Sequence, residues 1–450
     1  MLGSRAASAA EPVGRRYRVA MVCSHAIQYL VPWFVQAGAH PRLDITVLLG
    51  DAHGLSAGHD PEFGRSFRWD IDLATGYRRI LLPNQALRPG VGRFFGVASL
   101  AVFSELRAGR YDAVVIQGWN YALYPLALLA ARRAGIPVLM RAESMLLPNE
   151  PEAERTPRQL VKEAVLRRYL GACAGALAVS SGNRRLLEHY GMPAERIFAS
   201  PYAVDGARFQ LPPAERQAAR LRLRAQLGLA GATDADGAAG GPPLLLYCGK
   251  LIPVKAPQLL LSAYAALRRS GVAAALVLAG DGPLRPALAE WVRAHAVPDV
   301  HFLGFKNQSE LPALYAAADA LVLPSQRETF GIVVVEAQNA GLPVIASDGV
   351  GCAEDLILPP PAEPQELSPR CAQSTPPAGV EPVLPTGLTF RRGDAAGLVR
   401  CLETLCAGAP AQELRRKLAA GARRRAASWT YAAATAGLVQ ALDALGLPGT

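Results

Sequence analysis

The stretch ALVLPSQRETFGIVVVEAQNAGLPVIASD, residues 320–348, decides the fold. Four aliphatic residues, 320–323, form a run too short for a helix and suited to a strand covered on both faces. Pro324 and Ser325 break it, and a loop carries Arg327, Glu328 and Thr329 to Gly331. A helix is predicted over 331–339, closed by Gly341, and a second short apolar run follows at 344–346. Strand, loop, helix, strand is the unit of a parallel sheet with covering helices.

The same grammar extends outward on both sides. PLLLYCGKL, AALVLAGDGP and VHFLGF precede it as strands, with helices expected over 257–269, 284–295 and 308–318. Farther upstream RVAMVCS, LDITVLLG, YDAVVIQG and IPVLMRAES alternate with helices expected over 31–38 and 122–134. A chain of 450 residues exceeds one core, because single cores stop growing near roughly 250–300 residues. Two α/β domains are therefore expected, at 17–210 and 244–427. Residues 1–16 read as a disordered tail and 211–243 as a linker rich in Gly, Ala and Asp. A proline-rich insertion is expected at 358–385.

Composition narrows the function. The tail holds no apolar secretory run, and no stretch approaches the roughly 20 apolar residues of a membrane span. A cytoplasmic protein is expected. Its seven cysteines are scattered, without a metal-ligand or disulfide pattern, so no metal is expected. The net charge of +10 comes from 47 basic and 37 acidic residues spread along the chain, which reads as a solvated surface with no nucleic-acid partner. One basic amphipathic segment, RQLVKEAVLRRYL at 158–170, keeps peripheral contact with the inner membrane face in view.

Ligands of open parallel sheets gather at the C-terminal strand ends. There GKLIPVKAP places Lys250 and Lys255 ahead of a helix start, a pairing suited to a diphosphate and equally to two surface lysines. AGDGP at 279–283 makes a tight turn that structure alone explains. Glu328 in the loop and Glu336 in the helix suit vicinal hydroxyls, since a carboxylate accepts two hydrogen bonds at once. Their spacing taken alone arises about once by chance in such a chain.

The order of these motifs, G-K-L-x-x-x-K, A-G-D-G-P, F-L-G-F and P-S-x-x-E-x-F-G-x-x-x-x-E-A, resembles the retaining glycosyltransferases of group 1, also called family four, over 244–357. TGLTFRRGD and 429–445 are similar to that family's closing strand and terminal helix, so 428–450 is expected to pack back on the first domain. The resemblance implies a GT-B fold, two facing Rossmann-like domains with the donor between them. It implies that Lys250 and Lys255 neutralise the diphosphate and that Glu336 holds the ribose. Glu328 and the amides of Thr329, Phe330 and Gly331 would hold the transferred sugar, with Phe305 beside the base. The co-substrate would be a nucleoside diphosphate sugar, UDP or GDP first among the bases, and no further cofactor is implied.

The first domain departs from the common pattern. Its CSHAIQYLVPWF loop is similar to a subgroup with H-P-I-Q-Y, which makes His25, Gln28 and Tyr29 acceptor-side candidates. His25 equally reads as a strand-end histidine satisfied by backbone. Arg141 and Glu143 stand where many relatives carry a histidine; Trp119 and Asn120 are weaker candidates. Gly351-Cys352 replaces a glycine pair, and Asp355 a glutamate. The expected activity is sugar transfer to a saccharide, lipid-linked or small-molecule acceptor. A sugar-nucleotide epimerase and a catalytically silent binding subunit are the alternatives.

Overall fold

A computed structural model describes residues 16–55, 58–60, 65–147, 156–229, 241–359 and 384–446. The tail up to residue 15, residues 230–240 and most of the proline-rich stretch, 360–383, lie outside them.

The first sheet contains β1 (Tyr17–Cys23), β2 (Leu43–Leu49), β5 (Arg79–Leu81), β6 (Ala113–Ile116), β7 (Val138–Met140), β8 (Gly175–Ala178) and β9 (Ile197–Ala199). Its seven strands are ordered β5-β2-β1-β6-β7-β8-β9. Between β2 and β5 the chain makes a small antiparallel pair, β3 (Gly58–Asp60) with β4 (Arg65–Phe67). The second sheet contains β10 (Leu244–Cys248), β11 (Ala275–Ala279), β12 (Val300–Gly304), β13 (Ala320–Leu323), β14 (Val344–Ser347) and β15 (Gly387–Phe390). Its order is β12-β11-β10-β13-β14-β15. Every pairing inside these two sheets is parallel. Strand order reverses at β1 and at β10, and the loops after those two strands are the ones that open into a crevice.

Three apolar clusters explain the layering. One covers the outer face of the first sheet, with Val22, Val114 and Met140, and another the outer face of the second, with Leu245, Leu276 and Ile345. The largest runs between the sheets, from Trp33 and Leu139 through Tyr202, Phe209 and Phe330 to Val277 and Leu321. The two halves thus share one continuous buried layer, and the crevice is walled by packed structure.

The helix Tyr431–Ala444 lies against the first half. Trp33 Nε1 donates to Thr435 Oγ1 at 3.1 Å, Ser200 Oγ donates to the Ala434 carbonyl at 3.0 Å, and Arg42 pairs with Asp443 at 2.6 Å. A Cβ on Gly437 would stand 1.8 Å from the Ala199 carbonyl oxygen, so this helix seats on β9 only because Gly437 has no side chain. A second tie joins the halves behind the crevice: Asp355 accepts from the Ser181 amide at 2.9 Å and from its hydroxyl at 2.5 Å, while Glu354 pairs with Arg185 at 2.7 Å.

One part of the 211–243 segment corrects the expectation of a linker. Pro213–Gln226 is a helix of 14 residues. Its Arg220 and Arg224 meet Asp319 at 2.8 and 3.0 Å, and that carboxylate also accepts from the Leu244 amide at 2.7 Å. The helix is therefore tied to the second domain by charge. Among the described residues no helix is long and apolar enough to cross a membrane. The helix Pro157–Gly171 does expose Leu160, Val161 and Val165.

Candidate active site

One cavity of about 380 Å³ lies between the two sheets, walled by strand-end residues of both. On the second-domain side, β10 runs into Gly249 and Lys250, and a short turn at Pro253–Lys255 leads into the helix Pro257–Arg269. The neighbouring β11 ends at Gly280, φ +152°, where a Cβ would fall 1.8 Å from the Gly249 carbonyl oxygen. Any side chain there would push the Lys250 loop off the sheet. Lys250, Lys255, Gly280, Phe305, Glu328, Gly331 and Glu336 all line the cavity.

Lys255 Nζ donates to Glu328 Oε2, and both side chains are largely buried. The loop carrying Glu328 is fixed by its neighbour: the Glu328 amide donates to the Gly349 carbonyl at 2.9 Å, and the Gly351 and Cys352 amides donate to the Glu328 and Phe330 carbonyls at 3.0 and 2.9 Å. Gly331 has φ +96°, and a Cβ there would meet Val350 at 2.9 Å and the Cys352 sulfur at 3.3 Å. The Gly351-Cys352 departure is accommodated from behind, since Cys352 is buried beneath Gly331. Asp355 takes the tie to Ser181 described above.

Glu336 is 5% exposed and accepts a 2.8 Å hydrogen bond from the Tyr315 hydroxyl. Burial pushes its carboxyl up to about 7, offset in part by that hydrogen bond and by the charge of Arg208. The folded state therefore holds the Glu336 proton more tightly than the unfolded chain. This contribution to stability is fully present below about pH 4.5, the ordinary value, and is lost as pH rises through about 7. Glu336→Gln keeps the hydrogen bond and cannot ionise. The variant should gain stability over the native protein at pH 8, by an amount on the order of 3 kcal/mol, and little at pH 5. Thermal unfolding at the two pH values reads the difference, and an equal shift at both would count against an ionising Glu336.

The opposite wall comes from the loop after β1. His25, Gln28 and Tyr29 line the cavity together with His53 and Tyr431. Burial, then the neighbouring His53, lowers the His25 pKa to about 4, so its ring is neutral at physiological pH. One ring nitrogen sits 2.9 Å from the Ser24 hydroxyl. Tyr29 and Tyr202 both donate their hydroxyls to Glu143 Oε1. A second cavity of about 320 Å³ shares His25 and Tyr29 and is lined by Gln117, Trp119, Asn120, Glu143 and Thr329. The acceptor-side candidates are thus brought together, apart from Arg141.

Arg141 lines neither of these cavities. Its fully buried guanidinium is sandwiched between the rings of Trp33 and Tyr202, at 4.4 and 4.3 Å from their centroids. Strand alternation is the reason: Arg141 follows β7 and continues the face of Leu139, which points to Trp33. Phe330 is expected to act through its backbone amide, and its ring takes a separate place. Its side chain is buried against Tyr202 and Trp429, and Thr329 faces the second cavity. Sequence reading missed Arg208, Trp69 and Tyr431 among the cavity residues. Arg208 lay in the VDGARF stretch and donates to the Gln308 carbonyl at 2.6 Å; Trp69 lay in a polar excursion without signal.

Two facing parallel sheets with a crevice between their strand ends define a GT-B fold. Comparison with known proteins agrees. The model "Glycosyl transferases group 1" matches residues 233–359, and "Glycosyl transferase 4-like domain" matches 6–203. The GDP-mannose-dependent α-(1-6)-phosphatidylinositol monomannoside mannosyltransferase of Mycobacterium tuberculosis is 31% identical over 64% of this chain and 70% of its own length. The α-D-kanosaminyltransferase of Streptomyces kanamyceticus is 28% identical over 54% of this chain, which spans 62% of that relative. Anabaena HepE, crystallised with UDP and glucose, superposes with a TM-score of 0.63 over 95% of this chain and all of its own, at 17% identity. The chain belongs to the glycosyl transferases group 1 family.

Proposed function

We propose that the protein transfers a sugar from a nucleoside diphosphate sugar to a hydroxyl of a saccharide, lipid-linked or small-molecule acceptor. The observation that carries this reading is the single cavity on which Lys250, Lys255, Glu328 and Glu336 face His25, Gln28 and Tyr29 across the two domains. When the bond to the leaving diphosphate breaks, negative charge builds on its oxygen, and fixed ammonium groups in a walled crevice stabilise that charge. Glu336 accepts from the ribose hydroxyls, and Glu328 accepts from hydroxyls of the transferred sugar and sets that ring against the leaving group. The acceptor enters from the side of His25, Tyr29 and Glu143, whose hydrogen-bonded groups orient a hydroxyl away from the diphosphate. Attack on the same face as departure, with retention, follows the family resemblance.

UDP and GDP head the donor panel because relatives and structural neighbours are named for or crystallised with them. The test incubates the full chain with UDP- and GDP-sugars, with and without a mixed acceptor panel, and follows free nucleoside diphosphate and the anomeric protons of the product. Diphosphate release that requires acceptor is expected. Isomerised sugar nucleotide formed without acceptor would replace this reading by epimerisation, and binding without turnover by a silent subunit.

A further inference from the structure

The order of strands in the second sheet lays out the donor crevice as a track. Glu328 follows β13, Lys250 and Lys255 follow β10, Gly280 follows β11 and Phe305 follows β12, and these strands are neighbours in that order. With strands about 4.8 Å apart, the track runs about 14 Å from Glu328 to Phe305. All of these residues line one cavity. One end is charged, and the far end is aromatic.

The aromatic end is built by both domains. Trp69, from the excursion between β2 and β5, lines the cavity beside Phe305, with ring centroids 6.3 Å apart. Phe67 braces both, 4.5 Å from Phe305 and 4.8 Å from Trp69. Polar contacts clasp the flanks of these rings. The Asp70 carboxylate accepts from the Ser309 amide at 3.1 and 3.2 Å and from its hydroxyl, and Asn307 Nδ2 donates to the Arg68 carbonyl at 2.8 Å. Residues 68–70 of the first domain are thereby held on residues 305–309 of the second.

We propose that Trp69 is a wall of the nucleobase subsite, so that the first domain reads the base of the donor as well as the acceptor. This rests on the nucleotide-sugar reading above. Of the parts of such a donor, only the base is planar and aromatic, and with its phosphates on the lysines it reaches the aromatic end of the track. A base stacked there touches both domains at once. The base then adds affinity through Trp69 that the phosphates alone do not supply.

The test measures calorimetric affinity of the full chain for UDP, GDP, ADP, dTDP and inorganic pyrophosphate, in the native protein, Trp69→Ala, Trp69→Phe and Asp70→Ala. Stacking on an aromatic side chain is worth about tenfold or more in affinity. The expected result is that Trp69→Ala weakens the preferred nucleoside diphosphate about tenfold or more and leaves pyrophosphate unchanged. Trp69→Phe should retain most of the affinity. Asp70→Ala, which loosens the clasp without touching the wall, should weaken the nucleotide several-fold and spare pyrophosphate. Native-like binding of the nucleotide by Trp69→Ala overturns the proposal, as does equal loss of nucleotide and pyrophosphate, which marks a structural role. If the native chain binds none of the four nucleotides, it is the nucleotide-sugar reading that fails.

Discussion

Lys255→Ala is expected to lower sugar transfer by about two to three orders of magnitude. In the proposed reaction the charge of the departing diphosphate develops beside Lys255, whose ammonium is already fixed against Glu328 in a largely buried site. Loss of one preorganised charge stabiliser in such a site typically costs that much in turnover. Two effects separate here. Removing the cation weakens diphosphate binding, and it also leaves the Glu328 carboxylate without its partner beside an anionic ligand. Lys255→Ala/Glu328→Gln removes the second effect while keeping the first. The double variant should therefore bind nucleoside diphosphate better than Lys255→Ala yet remain slow. Steady-state kinetics with the identified donor reads both, and full activity in Lys255→Ala would remove this lysine from the donor site.

Arg141→Ala should be the most destabilising single change among the residues discussed. The guanidinium is fully buried, its cation meets two aromatic faces, and it supplies positive charge near Glu143, Tyr29 and Tyr202. Removing it leaves a void between Trp33 and Tyr202 and deprives the partly buried Glu143 of its countercharge. Breaking a buried charge arrangement from one side costs about 3–5 kcal/mol, which for a domain of this size lowers the melting temperature on the order of 10 °C. Arg141→Met restores volume without charge, so it should recover part of the loss. Thermal unfolding followed by tryptophan fluorescence reports both, because Trp33 is one of the two rings. An unchanged melting temperature in Arg141→Ala would show that the sandwich contributes nothing.

Arg141 also shows how far sequence carries. The strands and most helices were legible because short aliphatic runs and amphipathic segments alternate, and the helix expected over 257–269 is observed as Pro257–Arg269. The strand-end lysines and glutamates were legible because parallel sheets put their ligands there. What was not legible is direction. A charged residue just past a strand reads as a site residue, and only the register of β7 turns Arg141 away into the core. The helix Pro213–Gln226 was hidden for a related reason. It is rich in arginine and alanine, and its anchor, Asp319, is nearly a hundred residues away, as the Arg220–Asp319 and Arg224–Asp319 separations show. Trp69 gave no local signal, because its neighbour Phe305 belongs to a loop of the other domain.

The seating of Tyr431–Ala444 on the first half has a consequence for the order in which the protein is made. The helix follows the second domain in sequence yet completes the first, so the second domain is in effect an insertion within the first. Until residues 431–444 leave the ribosome, Trp33 and the backbone around Ala199 and Ser200 lack the surface that covers them. The second domain can assemble meanwhile from a contiguous stretch of chain. Of the two domains the one translated earlier is thus completed after the other, and the helix Tyr431–Ala444 acts as its latch.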